Sequence, residues 1–420
     1  MVVKILKNKF VKNVAILLSG NILGQLVPIL TSIILTRIYD REDFAVMAYF
    51  FTIAGTISAI AGGRYEVASM LPKSLKEVKT LYALSILFTL GTALLTSAVF
   101  IIWGPALAAK FNALDLSDYL LLIPLSILLV GLYQASNYYN NRLQNYALMS
   151  KTTITRSLGT SASNISLGLA GFKPGGLIIG SLVGQLIGTV MLSVRPIRAL
   201  IKELPTAAEL KAAAIKYKNF PIQNASSMLL FILGNQLPIL LIGLWFKNNA
   251  IVGSYALVLR VMNLPLVTLG KSLSQVYFQE STQSSAINLQ KLFVQTSKYL
   301  FLLILIPAIL VIAFGPWLFS FIFGNEWHEA GVLAQVFMLF FMVRFIFASQ
   351  NSLLISKEKL KTDFVFNLIF CISQLGAVVI GYYYKDVMLA FYLMAIAGFL
   401  QFGLLGLILR SSIKSDLSIN

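Results

Sequence analysis

Long apolar stretches, broken at short intervals by polar, glycine-bearing or proline-bearing links, set the pattern of the whole chain. A hydrocarbon core about 30 Å thick is crossed by a helix of about 20 mainly apolar residues. Stretches of that length fall at 14–36, 44–63, 80–103, 118–139, 152–172, 176–194, 222–246, 251–270, 298–319, 331–350, 363–384 and 387–409. The pattern predicts an all-α, polytopic membrane protein of about 12 transmembrane helices. Gly62-Gly63 and Pro221 mark ends of spans, and Gly171-Phe172-Lys173-Pro174-Gly175-Gly176 predicts a tight turn between two of them. The first stretch is longer than a signal-peptide core and runs into Thr36-Arg37-Ile38-Tyr39 without a small-residue cleavage pattern, so it reads as a retained helix.

An internal repeat organises these spans. Leu23-Gly24-Gln25-Leu26-Val27-Pro28-Ile29-Leu30 in the first aligns without gaps on Leu233-Gly234-Asn235-Gln236-Leu237-Pro238-Ile239-Leu240 in the seventh, sharing the glycine and proline. The copies are six spans apart, an even offset, so both run in the same direction. That predicts two six-helix lobes related by an axis along the membrane normal, with substrate between them. The expected division is 1–194, a linker at 195–220, and 221–420. Within the linker, Ala207 to Lys218 is helix-prone and basic; a short interfacial helix and a solvated linker both fit it.

Polar residues inside spans must face protein or a wet cavity. Many share helical faces: Asn21, Gln25, Pro28, Ser32 and Thr36 in the first span; Asn224, Ser227 and Asn235 in the seventh; Gln134, Asn137 and Asn141 in the fourth. Thr152, Arg156, Thr160 and Asn164 form an unbroken stripe of four-residue steps in the fifth. A lumen lining and interhelical hydrogen bonding both account for such faces. Gly176, Gly180, Gly184 and Gly188 form a small-residue ladder in the sixth span, with Gly20 and Gly24 a shorter one, and close helix packing explains both.

Composition and charge sharpen the picture. The 420 residues are 58% hydrophobic and only 12% charged, against about 25% charged in soluble domains. Lys and Arg number 33 against 16 acidic residues. These cations lie between apolar blocks rather than clustered as on a nucleic-acid-binding surface, so no nucleic-acid partner is expected. Placing the N-terminus inside puts most of them in cytoplasmic links; only Arg37, Arg41, Lys110, Lys173, Lys247 and Lys385 fall outside, with Arg260 and Arg344 within spans. That asymmetry predicts N-in, C-in topology and an inner face attractive to anionic membrane lipids. The one cysteine, Cys371, excludes an intrachain disulfide.

Arg156, Arg260 and Arg344 are the costliest residues, at about 2.5–3.5 kcal/mol or more for an unpaired arginine at the bilayer centre. Cations facing a cavity suit an anionic substrate, above all a diphosphate gripped by two hydrogen bonds; snorkelling or bonding to backbone carbonyls is the plainer reading. Arg64 and Glu66 stand two apart, which on a helix would point them in different directions. His328, between Glu326 and Glu329, lacks the second histidine of a zinc helix and reads as a surface residue. Neither a P-loop nor a glycine fingerprint occurs, so no cofactor and no enzymatic activity are expected.

Several segments resemble a known family. Ser19-Gly20-Asn21-Ile22-Leu23-Gly24-Gln25, Leu35-Thr36-Arg37-Ile38-Tyr39 and Gly63-Arg64-Tyr65-Glu66-Val67-Ala68 are similar to the N-terminal signature of polysaccharide-biosynthesis flippases, the Wzx-type O-antigen transporters. Tyr255-Ala256-Leu257-Val258-Leu259-Arg260 and Ser274-Gln275-Val276-Tyr277-Phe278-Gln279-Glu280 resemble the eighth span of that family and the loop after it. The resemblance implies the fold of the multidrug/oligosaccharidyl-lipid/polysaccharide exporters, two six-helix lobes in a V, in a bacterial inner membrane. It implies an undecaprenyl-diphosphate-linked oligosaccharide as substrate, and a glycan polymerase or chain-length machinery as further partners. Substrate-binding cations would be Arg64, Arg156, Arg260 and Arg344, with Asn21, Gln25, Asn164, Asn224, Asn235 and Glu66 as polar lining. Leu259 stands where the family often has an aspartate, which weakens a proton relay there. A drug exporter of the same superfamily is the alternative; it would want interior acids, of which Glu66 is nearly the sole candidate.

Overall fold

The computed structural model describes residues 9–111, 116–263, 266, 286–351, 353–354 and 360–415. The chain divides into two compact units, Met1–Leu229 and Leu230–Asn420. Among the described residues the regular structure is helical throughout, as the hydropathy pattern predicts.

The first unit holds α1 (Lys9–Ile38), α2 (Arg41–Ala61), the single turn α3 (Tyr65–Ala68), α4 (Leu75–Phe111), α5 (Leu122–Arg142), α6 (Tyr146–Leu169), α7 (Gly175–Lys202) and α8 (Ala207–Lys216). Helix α9 (Ala225–Phe246) crosses the boundary. The second unit continues with α10 (Asn249–Met262), α11 (Ala286–Phe323), α12 (His328–Ala348), α13 (Leu360–Tyr383) and α14 (Val387–Ser415). Each stretch predicted to cross the membrane lies on one of these helices; the later part of the eighth, and the loop motif at 274–280, lie outside the described residues. Eight of the helices are long and apolar enough to cross a membrane by composition alone, which makes this a multi-pass membrane protein. Helices α5 and α6 are long enough but too polar to qualify on their own: Gln134 to Asn141 in one, and the Thr152–Asn164 stripe in the other, dilute their apolar character.

That stripe finds its partner inside the protein. Gly176, Gly180, Gly184 and Gly188 of α7 face α6, so that Gly180 abuts Asn164, Gly184 abuts Thr160, and Gly188 lies against the stem of Arg156. Side chains of α6 fill the space where α7 lacks them, and the two backbones approach closely. On its other side α6 meets α1, where Gly20 abuts Ser150 and Gly24 abuts Thr153.

Prolines explain further polar residues. A proline within a helix leaves the carbonyl four residues earlier without its amide donor, and in lipid that carbonyl needs another partner. Among the described residues three such carbonyls are supplied from a neighbouring helix. Pro28 frees Gly24 O, which accepts from Ser157 Oγ at 2.6 Å; Pro196 frees Leu192 O, which accepts from Asn140 Nδ2 at 3.0 Å; Pro316 frees Ile312 O, which accepts from Gln335 Nε2 at 2.8 Å. The last lies at a kink in α11, where Phe314 leaves helical geometry (φ −129°, ψ 15°).

The turn 171–176 forms as expected, with Gly171 at φ +83°, a conformation open to glycine at little cost. Helix α8 also forms, opened by a capping box: Thr206 Oγ1 accepts from Glu209 N and Glu209 Oε2 accepts from Thr206 N. It is neither free in solvent nor lying only on lipid. Ala213 and Tyr217 pack with Tyr65, Ala68, Leu81 and Leu84 of the first unit.

Candidate functional site

After Gly62 ends α2, Gly63 and Arg64 both take left-handed backbone (φ 59° each) before α3 begins. Arg64 is therefore a cap and not a helical residue, and the expectation that it points away from Glu66 is corrected. Its Nη1 lies 3.7 Å from Glu66 Oε1, while its Nε donates to Asn224 Oδ1 at 2.8 Å. Glu66 is only 2% exposed and Arg64 14%. Ser85 Oγ donates to the other Glu66 oxygen at 3.3 Å. Gly62 makes room for this arrangement, since a Cβ there would stand 2.6 Å from both Glu66 Oε2 and Ser85 Oγ. Burial pushes the Glu66 carboxyl above its ordinary range, opposed by its own backbone amide, Arg64 and Ser85. Tyr138 of α5 interacts electrostatically with both Arg64 and Glu66.

One turn and a half earlier on α5, Tyr133 carries Arg156 of α6 over its ring, 4.7 Å from guanidinium carbon to centroid. Helix α5 thus backs both interior arginines of the first unit. Arg344 of α12 has a similar setting in the second unit, 5.9, 5.6 and 5.6 Å from the ring centres of Phe231, Phe340 and Phe402. Ring faces attract a cation without neutralising it. Among the described residues neither Arg156 nor Arg344 has an acidic partner. Arg260 occupies the last turn of α10, where its charge complements the helix dipole.

The polar residues scatter. Asn164 is sealed in the α6–α7 contact, 1% exposed, with its backbone oxygen accepting from Tyr39 Oη at 2.7 Å. Asn235 Nδ2 bonds back to Phe231 O at 2.7 Å, and Gln25 is half-buried on α1. Asn21 lies on α1, but its side chain is outside the described residues. Arg64, Glu66 and Asn224 are brought together. Asp363, missed by the sequence reading, accepts from Asn351 Nδ2 at 3.1 Å and Asn367 Nδ2 at 3.2 Å; the four-residue step from Asp363 to Asn367 was the available signal. His328 is exposed at the start of α12, and among the described residues no group of histidine, cysteine or acidic side chains is placed to hold a metal.

Residues 34–332 match a family model described as polysaccharide biosynthesis protein. Comparison with curated protein sequences finds no match. A multidrug resistance MATE family transporter of the MOP superfamily, in an inward-facing conformation, superposes with a TM-score of 0.73 at 14% identity, covering 96% of this chain and 99% of that one. The lipid II flippase MurJ gives 0.69 at 16% identity, over 93% of this chain and 85% of its own. A MOP superfamily transporter from Pyrococcus furiosus gives 0.65 at 12% identity, over 96% of both. At these identities the likeness is one of fold.

Proposed function

Because the chain belongs to the polysaccharide biosynthesis protein family, we propose that it is a flippase carrying a lipid-linked oligosaccharide from the cytoplasmic to the outer leaflet of a bacterial inner membrane by alternating access. The cargo on this reading is a glycan repeat unit on undecaprenyl diphosphate, and the protein is a carrier rather than an enzyme. The observation that carries the anionic-cargo reading is the setting of Arg156 and Arg344: both lie inside the helical units on ring faces, without an acidic partner among the described residues. Positive charge held in this way is available to a diphosphate, which a guanidinium can grip through two hydrogen bonds.

Each sugar hydroxyl moved into hydrocarbon without a partner costs roughly 2–7 kcal/mol, so unassisted crossing of a glycan is very slow. A protein route lets the head group cross in a polar environment while the prenyl tail stays in lipid. Arg64 and Arg260 join Arg156 and Arg344 as the proposed diphosphate contacts, and amides such as Asn235 as sugar contacts. With the cytoplasm negative, outward movement of an anion gains about 2.3 kcal/mol per charge per 100 mV for the fraction of the potential crossed. Export of small cationic drugs is the second reading; the buried acid Glu66 favours it, but that acid is already engaged by Arg64.

The test is surface glycan in cells depending on this protein. Arg156→Ala and Arg260→Ala should each lower it by roughly 10- to 100-fold, the loss of one charged hydrogen-bonding contact, at unchanged levels of inserted protein. Unchanged glycan removes the assignment.

A further inference from the structure

Asn224, which accepts from Arg64 Nε, ends one continuous piece of chain, the strap 203–224. Among the described residues, three ion pairs fasten this strap to the start of α4: Lys79 to Glu203 at 2.6 Å, Lys76 to Glu209 at 2.6 Å, and Lys216 to Glu77. Tyr217 Oη adds a hydrogen bond to Glu77 at 3.0 Å. Beneath them, Tyr65 packs with Ala213 and Tyr217, and its hydroxyl donates to Ala214 O at 3.4 Å. Phe220 packs on the same cluster and lies 6.3 Å from the Tyr217 ring. From Phe220 the chain makes one π-helical turn, Phe220–Asn224, before α9. Such turns are costly and are enriched at functional positions; this one ends on Asn224, whose Oδ1 accepts from Arg64 Nε.

We infer that the strap is a positioning element for Arg64 and Asn224 its contact residue: ion pairs on α4 fix the strap, the strap fixes Asn224, and Asn224 fixes the plane of the guanidinium. Two features make this more than packing. Arg64 stands in left-handed backbone, sparsely populated for a residue with a side chain, and its fork sits at the end of a long flexible stem, so contacts rather than backbone fix its plane. Asn224 also engages Nε, which leaves the two terminal nitrogens to the substrate and to Glu66. A planar fork discriminates by orientation as well as charge, so holding Nε selects which edge meets a diphosphate. This inference rests on the reading of Arg64 as a substrate contact.

The experiment is uptake of a fluorescent diphosphate-linked oligosaccharide by proteoliposomes of the full chain, with half-saturating concentration and maximal rate measured separately. Asn224→Leu, close in size but unable to accept, should raise the half-saturating concentration about tenfold, the loss of one hydrogen bond to a charged group, with little change in maximal rate. Glu77→Lys, which opposes Lys216, should show the same signature, and Glu77→Lys combined with Lys216→Glu should restore the original value. A general loss of stability would depress maximal rate and protein yield instead, and the compensating pair would not rescue half-saturation. If Arg64→Ala raises half-saturation while Asn224→Leu does not, the strap inference is overturned and the Arg64 reading stands. If Arg64→Ala itself leaves half-saturation unchanged, both fall.

Discussion

Asn140, Ser157 and Gln335 show how a polar residue among apolar helices can be wholly structural, each supplying the carbonyl that a proline leaves bare. Removing such a donor strands a buried acceptor, at a cost of about 1–3 kcal/mol. Asn140→Leu should therefore lower the melting temperature of the detergent-purified protein. Adding Pro196→Ala, which returns the amide donor to Leu192, should recover much of the loss; purely additive destabilisation would refute the pairing. Gly184 raises a related expectation, since Thr160 and the Arg156 backbone occupy the space a side chain would need. Gly184→Val should wedge α6 from α7 at about 1–3 kcal/mol, read as less folded protein in the membrane. The stripe on α6 was legible as a polar face. Its partner was not, because periodicity along one helix does not state which helix it meets. Arg64 was misread for a backbone reason: two consecutive left-handed residues break the helix on which its direction was argued.

At the scale of elements, apolar length placed the spans as far as the described residues cover them, and the helix-prone run from Ala207 to Lys218 pointed to α8. What sequence alone left open was where α8 rests, which depends on distant residues such as Lys76 and Glu77. The ion pairs that decide it lie in water, so salt should weaken them. Their pH dependence follows from the shifts. Hydrogen bonding from Lys79 holds the Glu203 carboxyl below its ordinary range, Lys76 does the same for Glu209, and Glu77 holds Lys216 above the ordinary amine range. The carboxylate contributions are full above about pH 5 and fade as acid protonates them; the amine contribution is full below about pH 10 and fades above it. A spin label at Ala212→Cys, in a Cys371→Ser background, should keep constant mobility from about pH 6 to 9 and become mobile in acid or in molar salt. Unaltered mobility in both would mean that apolar packing alone docks the strap.

For the molecule as a whole, the lopsided distribution of lysine and arginine sets an orientation that labelling can check. Lys385→Cys should react with an impermeant maleimide added outside intact cells, and Glu209→Cys should react only after the membrane is opened; the reverse would invert the topology. Cargo decides the proposed function. Its most direct test is reconstitution of the purified chain into vesicles bearing a diphosphate-linked oligosaccharide, with an impermeant lectin reporting which leaflet carries the sugar. Protein-dependent appearance of sugar on the opposite leaflet, faster when the potential drives anions that way, is the expected result. Vesicles in which the glycan stays in its original leaflet while a cationic drug is exported would contradict it.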